Sequence, residues 1–432
     1  MTFNSHIKSR VVAHIAGEPR LMRQRRAAER KRAKRGEPHI VDYYHDVADP
    51  YSYLAAQTLE DLTNRYDIVL RPHLISGPPD WAAPARASLE AYARSDAVRL
   101  AGRSGLSFPE HSSAPDPNVV NEARNILGSA LAGDDFISLS VATGEMVWEG
   151  ASVVGNPISN LHEILQDGDA HLAKQGHYLG ATFFYGGEWY WGVDRMHYLE
   201  ERLAAQGLRK VGVTDTPILP PPRLLEGQPS IYGAKIEAFV SLRSPYTYLA
   251  FDRVRQLADR YGAELIIRPI LPMVMRGLPV PRAKRMYILL DSAREARRLG
   301  IPFGRICDPL GKPIERAYGL IGYARDEGLL AEYFSSFLRG VWSEGIDAGS
   351  DNGLAKIVVR AGLDWAKAKP LVGGKEWATE VEANRQDLFD IGLWGPPSFR
   401  LRETKVWGQD RLWALEEAIS LPRQERSQSA SS

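Results

Sequence analysis

The sequence predicts an α/β chain that carries one structural unit twice, and three observations predict it. Val41–Ala55 aligns without a gap on Ile236–Ala250, sharing a Pro-Tyr step that follows Asp49 in the first copy and Ser244 in the second. Trp191-Gly-Val-Asp-Arg-Met196 is echoed by Trp407-Gly-Gln-Asp-Arg-Leu412. Both copies read in the order strand, helix, strand, helical insertion, hairpin, helix. Two repeats of this length are duplicated domains; a solenoid needs three or more short units.

Each element has a local reason. His39–Tyr44 alternates and is bounded by Pro50, so it reads as a strand. Tyr51–Tyr66 has helical spacing through Leu54, Ala55, Leu59 and Leu62, with Pro50 as an early helical residue and Asp49 as N-cap. Ile68–His73 is the next strand, and the crossover makes the two parallel. Lys235–Val240, Tyr246–Tyr261 and Glu264–Pro269 repeat these elements, with Ser244 as N-cap. Helical insertions follow. Their segments are Ala85–Ala101 and Val119–Leu131 in the first copy, with a Ser- and Pro-rich loop over 102–116. In the second they are Ala283–Leu299, Ile314–Glu327, Leu330–Trp342, Asn352–Ala361 and Gly374–Leu388. Thr182–Tyr185, a Gly186-Gly187 turn and Glu188–Trp191 form a hairpin, closed by a helix over Asp194–Gln206. Ser398–Leu401, Lys405–Trp407 and Asp410–Ser420 close the second copy alike.

These spans set the expected domains: a flexible basic tail over 1–37, a first domain at 38–208, a Pro-rich linker at 209–233, a second domain at 234–421 and a frayed tail at 422–432. Arg20–Arg35 carries nine cations against Glu29, with too few apolar residues for a buried face. Any contact with nucleic acid or an anionic membrane is expected through this tail alone. The net charge of +1 excludes a chain that is polyanion-binding throughout. Cys307 is the sole cysteine, so neither an intrachain disulfide nor a cysteine metal cluster can form. Without a transmembrane-length apolar run or a secretory core, the cytoplasm is the expected location.

The chemistry concentrates in three motifs: Ser244-Pro-Tyr-Thr247 after a strand, Gly395-Pro-Pro-Ser-Phe399, and Trp407-Gly-Gln-Asp-Arg-Leu412 at the last strand-to-helix junction. In order and spacing they resemble the glutathione-dependent 2-hydroxychromene-2-carboxylate isomerases and kappa-class glutathione transferases, of the DsbA-like branch of the thioredoxin fold. The resemblance implies two tandem thioredoxin-like domains, each with a large helical insertion, packed as an intramolecular pseudo-dimer. It implies glutathione as cofactor and an aromatic-derived, carboxylated small molecule as substrate. Ser244 would donate a hydrogen bond to the glutathione sulfur at a positive helix end, and is not a nucleophile, since no histidine base adjoins it. Pro397 takes the place of the fold's cis-proline. Pro396 before it offers a carbonyl and no N–H. Gln409 and Asp410 are assigned to the γ-glutamyl end, and Lys284, Arg285 and Tyr287 to the substrate side. Arg243 is placed at the entrance. The family's Asn after the second strand has no counterpart in Met275-Arg-Gly-Leu-Pro279.

Each residue also has a plainer reading: Ser244 as a cap, Asp410 as a cap or a partner of Arg411, Lys284 and Arg285 as a solvated basic turn. The first copy has Asp49 for the serine and Ala181 for the proline, which marks it as a retired site kept for packing. No metal site is expected, because His162 and His171 lack a third ligand. The alternative function is a non-catalytic binding or scaffold protein. Disulfide exchange is excluded at both positions, since neither carries cysteine.

Overall fold

A computed structural model of the chain describes residues 3–153, 155–224 and 233–420. The tail at 422–432 and linker positions 225–232, Pro229 among them, lie outside the described residues. The chain divides into two compact units. An N-terminal unit comprises Met22–Pro221 with Pro281–Tyr287, and a C-terminal unit comprises the residues up to Leu21, Pro222–Val280 and Ile288 onward. No described helix is long and apolar enough to cross a membrane.

The N-terminal unit is built on β1 (Ile40–His45), β2 (Val69–Leu74), β3 (Thr182–Tyr185) and β4 (Glu188–Trp191). The order is β2-β1-β3-β4, with β1 parallel to β2 and the remaining pairs antiparallel. The C-terminal unit repeats this with β5 (Lys235–Val240), β6 (Glu264–Pro269), β7 (Ser398–Leu401) and β8 (Thr404–Trp407), ordered β6-β5-β7-β8 with the same senses. β1 and β5 are central, and Val41, Tyr43, Ile236, Ala238 and Phe239 are fully buried. The hairpin between β3 and β4 turns on Gly186 and Gly187, at φ 50° and 88°, where a side chain would be strained.

Several elements differ from expectation. The helix read over Tyr51–Tyr66 is two, Pro50–Ala56 and Leu59–Arg65. The buried Thr58 hydroxyl donates to Ala55 O at 2.6 Å, competing with the backbone ladder. Its counterpart in the alignment is Arg253, and there the helix Pro245–Tyr261 is continuous. Ile314–Glu327 breaks into Lys312–Tyr318 and Ile321–Asp326 at Gly319, where Leu371 O would lie 2.9 Å from an added Cβ. Helices at Phe136–Glu149 and Leu161–Gln175 complete the first insertion.

The basic segment read over 1–37 as a flexible tail forms helices Phe3–Ala16 and Glu18–Arg35. The first belongs to the C-terminal unit, with Ser9 and Ala16 buried and Arg297 donating to Ala16 O at 3.2 Å. The second docks in the N-terminal unit through Arg25, whose guanidinium meets Glu188 at 2.7 and 2.9 Å. Composition pointed to solvation; fork-to-carboxylate pairing supplies the anchor that a sparse apolar face cannot. The linker is also held, since Ile218 N donates to the buried Glu200 carboxylate at 3.0 Å.

Candidate functional site

Ser244 is positioned by the exit from β5. Its N–H donates to Ser241 O at 3.0 Å, and its extended backbone (φ −89°, ψ 119°) makes it the N-cap of Pro245–Tyr261. Its Oγ accepts from Thr247 N at 3.1 Å and donates to Pro396 O at 3.3 Å. The Pro396–Pro397 bond is cis. Three sequence-selected residues therefore meet at one helix N-terminus. The donation to Pro396 O is long, so this hydroxyl proton is weakly committed. Thr247 Oγ1 steadies the turn by accepting from Ser241 N at 3.4 Å.

Gln409 is 1% exposed and both ends of its amide are engaged. Nε2 donates to Glu295 at 2.7 Å, and Arg253 donates to Oε1 at 2.9 Å and to the backbone oxygen at 3.0 Å. Burial, then the neighbouring Arg298, holds the Arg253 guanidinium down to about 10. These bonds brace the last strand-to-helix junction through Gln409. Asp410 keeps about a fifth of its side chain exposed, with Arg411 at 3.6 Å. Arg243 forms a fork with Asp308 at 2.8 and 2.9 Å, so its charge is already matched.

The stretch Pro281–Tyr287, with Lys284, Arg285 and Tyr287, groups with the N-terminal unit. There Lys284 Nζ donates to Ala82 O at 3.3 Å, and burial lowers its pKa. Tyr287 is 8% exposed and edge-on to His177 at 4.8 Å. Arg285 is exposed. The Ala-Lys-Arg spacing was legible, but not the contacts that Lys284 and Tyr287 make with Ala82 O and with His177.

The matching place in the N-terminal unit is acidic. Asp49 caps Pro50–Ala56, accepting from Tyr51 N at 3.1 Å and from Ser52 Oγ at 3.1 Å. Ser52 Oγ in turn accepts from Asp46 N at 3.2 Å and Ala181 N at 2.9 Å. Burial and then the Asp46 charge push Asp49 up to about 7, while burial pushes Asp46 up to about 6. Ala181, opposite Pro397 in the alignment, stands at φ 52°.

Two supporting pairs escaped the sequence reading. Tyr51 OH donates to Asp96 and Tyr246 OH to Asp291, each at 2.9 Å and each across 45 residues. Tyr66 OH meets Glu200 at 3.4 Å and Tyr261 OH meets Glu416 at 3.0 Å. Matching tyrosines and acids in the two units were the available signal. Two residues other than His162, Asp42 and His73, lie beside His171. Asp42 Oδ1 is already bound by Arg71 at 2.5 Å and His73 at 2.8 Å, and Tyr44 OH lies 2.7 Å from His171 Nδ1. This cluster reads as a satisfied hydrogen-bond network.

Comparison with known proteins locates the likeness. The DSBA-like thioredoxin domain model matches residues 235–420. The 2-hydroxychromene-2-carboxylate isomerase of Pseudomonas putida is 26% identical over 192 residues, covering 43% of this chain and 93% of the relative. That of Sphingobium xenophagum is 25% identical over 191 residues, 42% of this chain and 95% of the relative. A solved structure of a selenomethionine 2-hydroxychromene-2-carboxylate isomerase covers 46% of this chain and 99% of its own, at TM-score 0.36 and 24% identity. Residues 235–420 of this chain carry a DSBA-like thioredoxin domain.

Proposed function

We propose that the C-terminal unit is a glutathione-dependent isomerase or transferase site centred on Ser244, acting on an aromatic-derived, carboxylated small molecule. The observation that carries this reading is the Ser244 hydroxyl at a helix N-terminus, 3.3 Å from Pro396 O at the cis Pro396–Pro397 bond. The relatives named 2-hydroxychromene-2-carboxylate isomerase supply the reaction class. We further propose that the two sheets descend from a tandem duplication, with the Asp49 copy no longer holding a thiolate.

The residues fit the sulfur end of glutathione. Ser244 Oγ is half-buried, its proton is held by one long bond, and its lone pair is fixed by Thr247 N. Turned toward an anion, the same O–H donates while the helix dipole favours the charge. The Pro396 carbonyl accepts and cannot donate, so it suits an N–H of the bound peptide. Asp410 offers a partly exposed carboxylate to an ammonium group. Gln409, held by Arg253 and Glu295, fixes that junction in place.

When bound, glutathione supplies a sulfur nucleophile for reversible addition to an unsaturated substrate. The protein's part is to keep that sulfur anionic near neutral pH and to hold the substrate beside it. The Asp49 copy presents a carboxylate at the same place, which repels a thiolate. Turnover of 2-hydroxychromene-2-carboxylate, with and without glutathione, tests the reading. Ser244→Ala is expected to lower it by about 10- to 150-fold, the equivalent of ~1.5–3 kcal/mol for a bond to a charged group. Asp49→Ser leaves it unchanged. Equal losses from both substitutions overturn the assignment.

A further inference from the structure

The Glu18–Arg35 helix has two unlike faces. Arg25, Glu29 and Arg32 fall within roughly 60° of one another on the helical wheel. Arg25 is bound to Glu188, which also pairs with Arg202 at 2.8 Å. Glu29 and Arg32 pair at 2.6 Å, and Ala28 lies beside the Gly186 turn. Arg23, Arg26, Arg30, Lys31, Lys34 and Arg35 occupy the remaining half of the circumference, and all six are exposed. The helix is therefore fixed by one side and presents a cationic ridge about 16 Å long from Arg23 to Lys34.

We propose that this ridge binds the phosphate backbone of duplex nucleic acid without sequence preference. Arg26, Arg30 and Lys34 recur every four residues, so their charges line up about 6 Å apart along one side of a rigid rod. Such a line meets a regular row of phosphates with little ordering cost. Between the cations stand Ala27 and Ala33, and the helix carries no aromatic residue. That composition lacks the stacking rings a single-strand binder uses and the apolar wedge a membrane-lying helix buries. No base-reading contact is implied, because backbone contacts position a protein without specifying sequence.

The test uses the full chain and a short fluorescent DNA duplex of random sequence, with anisotropy measured across a salt series. Wild type is expected to bind with a log–log salt slope of about −4, as for four or five neutralised phosphates. The triple variant Arg26→Gln/Arg30→Gln/Lys34→Gln leaves the anchoring face intact. It is expected to reduce the slope's magnitude by about 2.7 and to weaken low-salt binding about 100-fold. The charge-keeping variant Arg26→Lys/Arg30→Lys/Lys34→Arg retains binding. Equal slopes for wild type and the Gln variant overturn the proposal. So does binding of wild type to phosphatidylserine vesicles but not to the duplex.

Discussion

Asp49→Asn tests how the N-terminal unit differs from its counterpart. Burial and Asp46 push the Asp49 carboxyl up to about 7, against roughly 3.9 for an unfolded aspartate. The folded chain thus holds the proton more tightly than the unfolded chain. Stability then falls as pH rises through roughly 4 to 7, and above that range the full cost of the half-buried anion is present. Between about pH 5 and about pH 8 the window spans about two units of that slope, ~2.7 kcal/mol at most. Tyr51 N–H and the Ser52 hydroxyl solvate the anion, and Asp46 titrates with it. Those two bonds are already contained in the value of about 7, and the coupled titration of Asp46 brings the expected contribution to ~1–2 kcal/mol. Asparagine keeps the acceptor for Tyr51 N. Its amide must face Ser52 Oγ, which already accepts two N–H groups, so absolute stability at low pH drops. The pH difference is therefore the diagnostic quantity. Urea unfolding followed by tryptophan fluorescence should show the gap between about pH 5 and about pH 8 shrink by ~1–2 kcal/mol in the variant. An unchanged gap would refute the raised affinity of the Asp49 carboxyl for its proton.

Other expectations follow from the same contacts. Tyr246→Phe strips the buried Asp291 of a 2.9 Å donor and should cost ~1–3 kcal/mol in urea unfolding, with Tyr51→Phe doing the same through Asp96. Gln409→Ala leaves Glu295 without its 2.7 Å donor and should lower thermal stability by several degrees. Its loss of turnover should be recovered in part by Gln409→Glu only at low pH, where the new carboxyl is protonated. Arg25→Ala frees the docked face of Glu18–Arg35 while Glu188 keeps Arg202. Limited proteolysis should then cut that helix sooner, with the unfolding midpoint of the N-terminal unit little changed.

Sheet and hairpins were legible because their signals are local. The Pro-Tyr step, the Gly186-Gly187 turn and the paired Trp-Gly motifs each fix a strand end, and the strands stand within two residues of where they were read. The contact of Ser244 with Pro396 at the cis Pro396–Pro397 bond was legible for a different reason: motif order, set by family resemblance, brought together segments that periodicity cannot. What escaped depends on tertiary partners. The break between the two helices falls where the buried Thr58 hydroxyl donates to Ala55 O. Glu18–Arg35 is ordered by Glu188, more than 150 positions away in the chain. Lys284 and Tyr287 follow packing in the N-terminal unit, a choice their own segment does not encode. Gln409 reads as a polar residue at a helix start until Arg253 and Glu295 are seen to hold both ends of its amide.

Ionisation of the bound thiol tests most directly the proposal that Ser244 holds a glutathione thiolate. Ultraviolet thiolate absorbance of glutathione bound to the full chain, titrated with pH, reports it without requiring the true substrate. In wild type and in Asp49→Ser the bound thiol should titrate well below the roughly 8.5 of a free cysteine thiol. In Ser244→Ala it should move back up by about 1–2 units, the equivalent of the lost charge-assisted hydrogen bond. A bound thiol that titrates identically with and without the Ser244 hydroxyl would contradict the account, as would a chain that binds no glutathione.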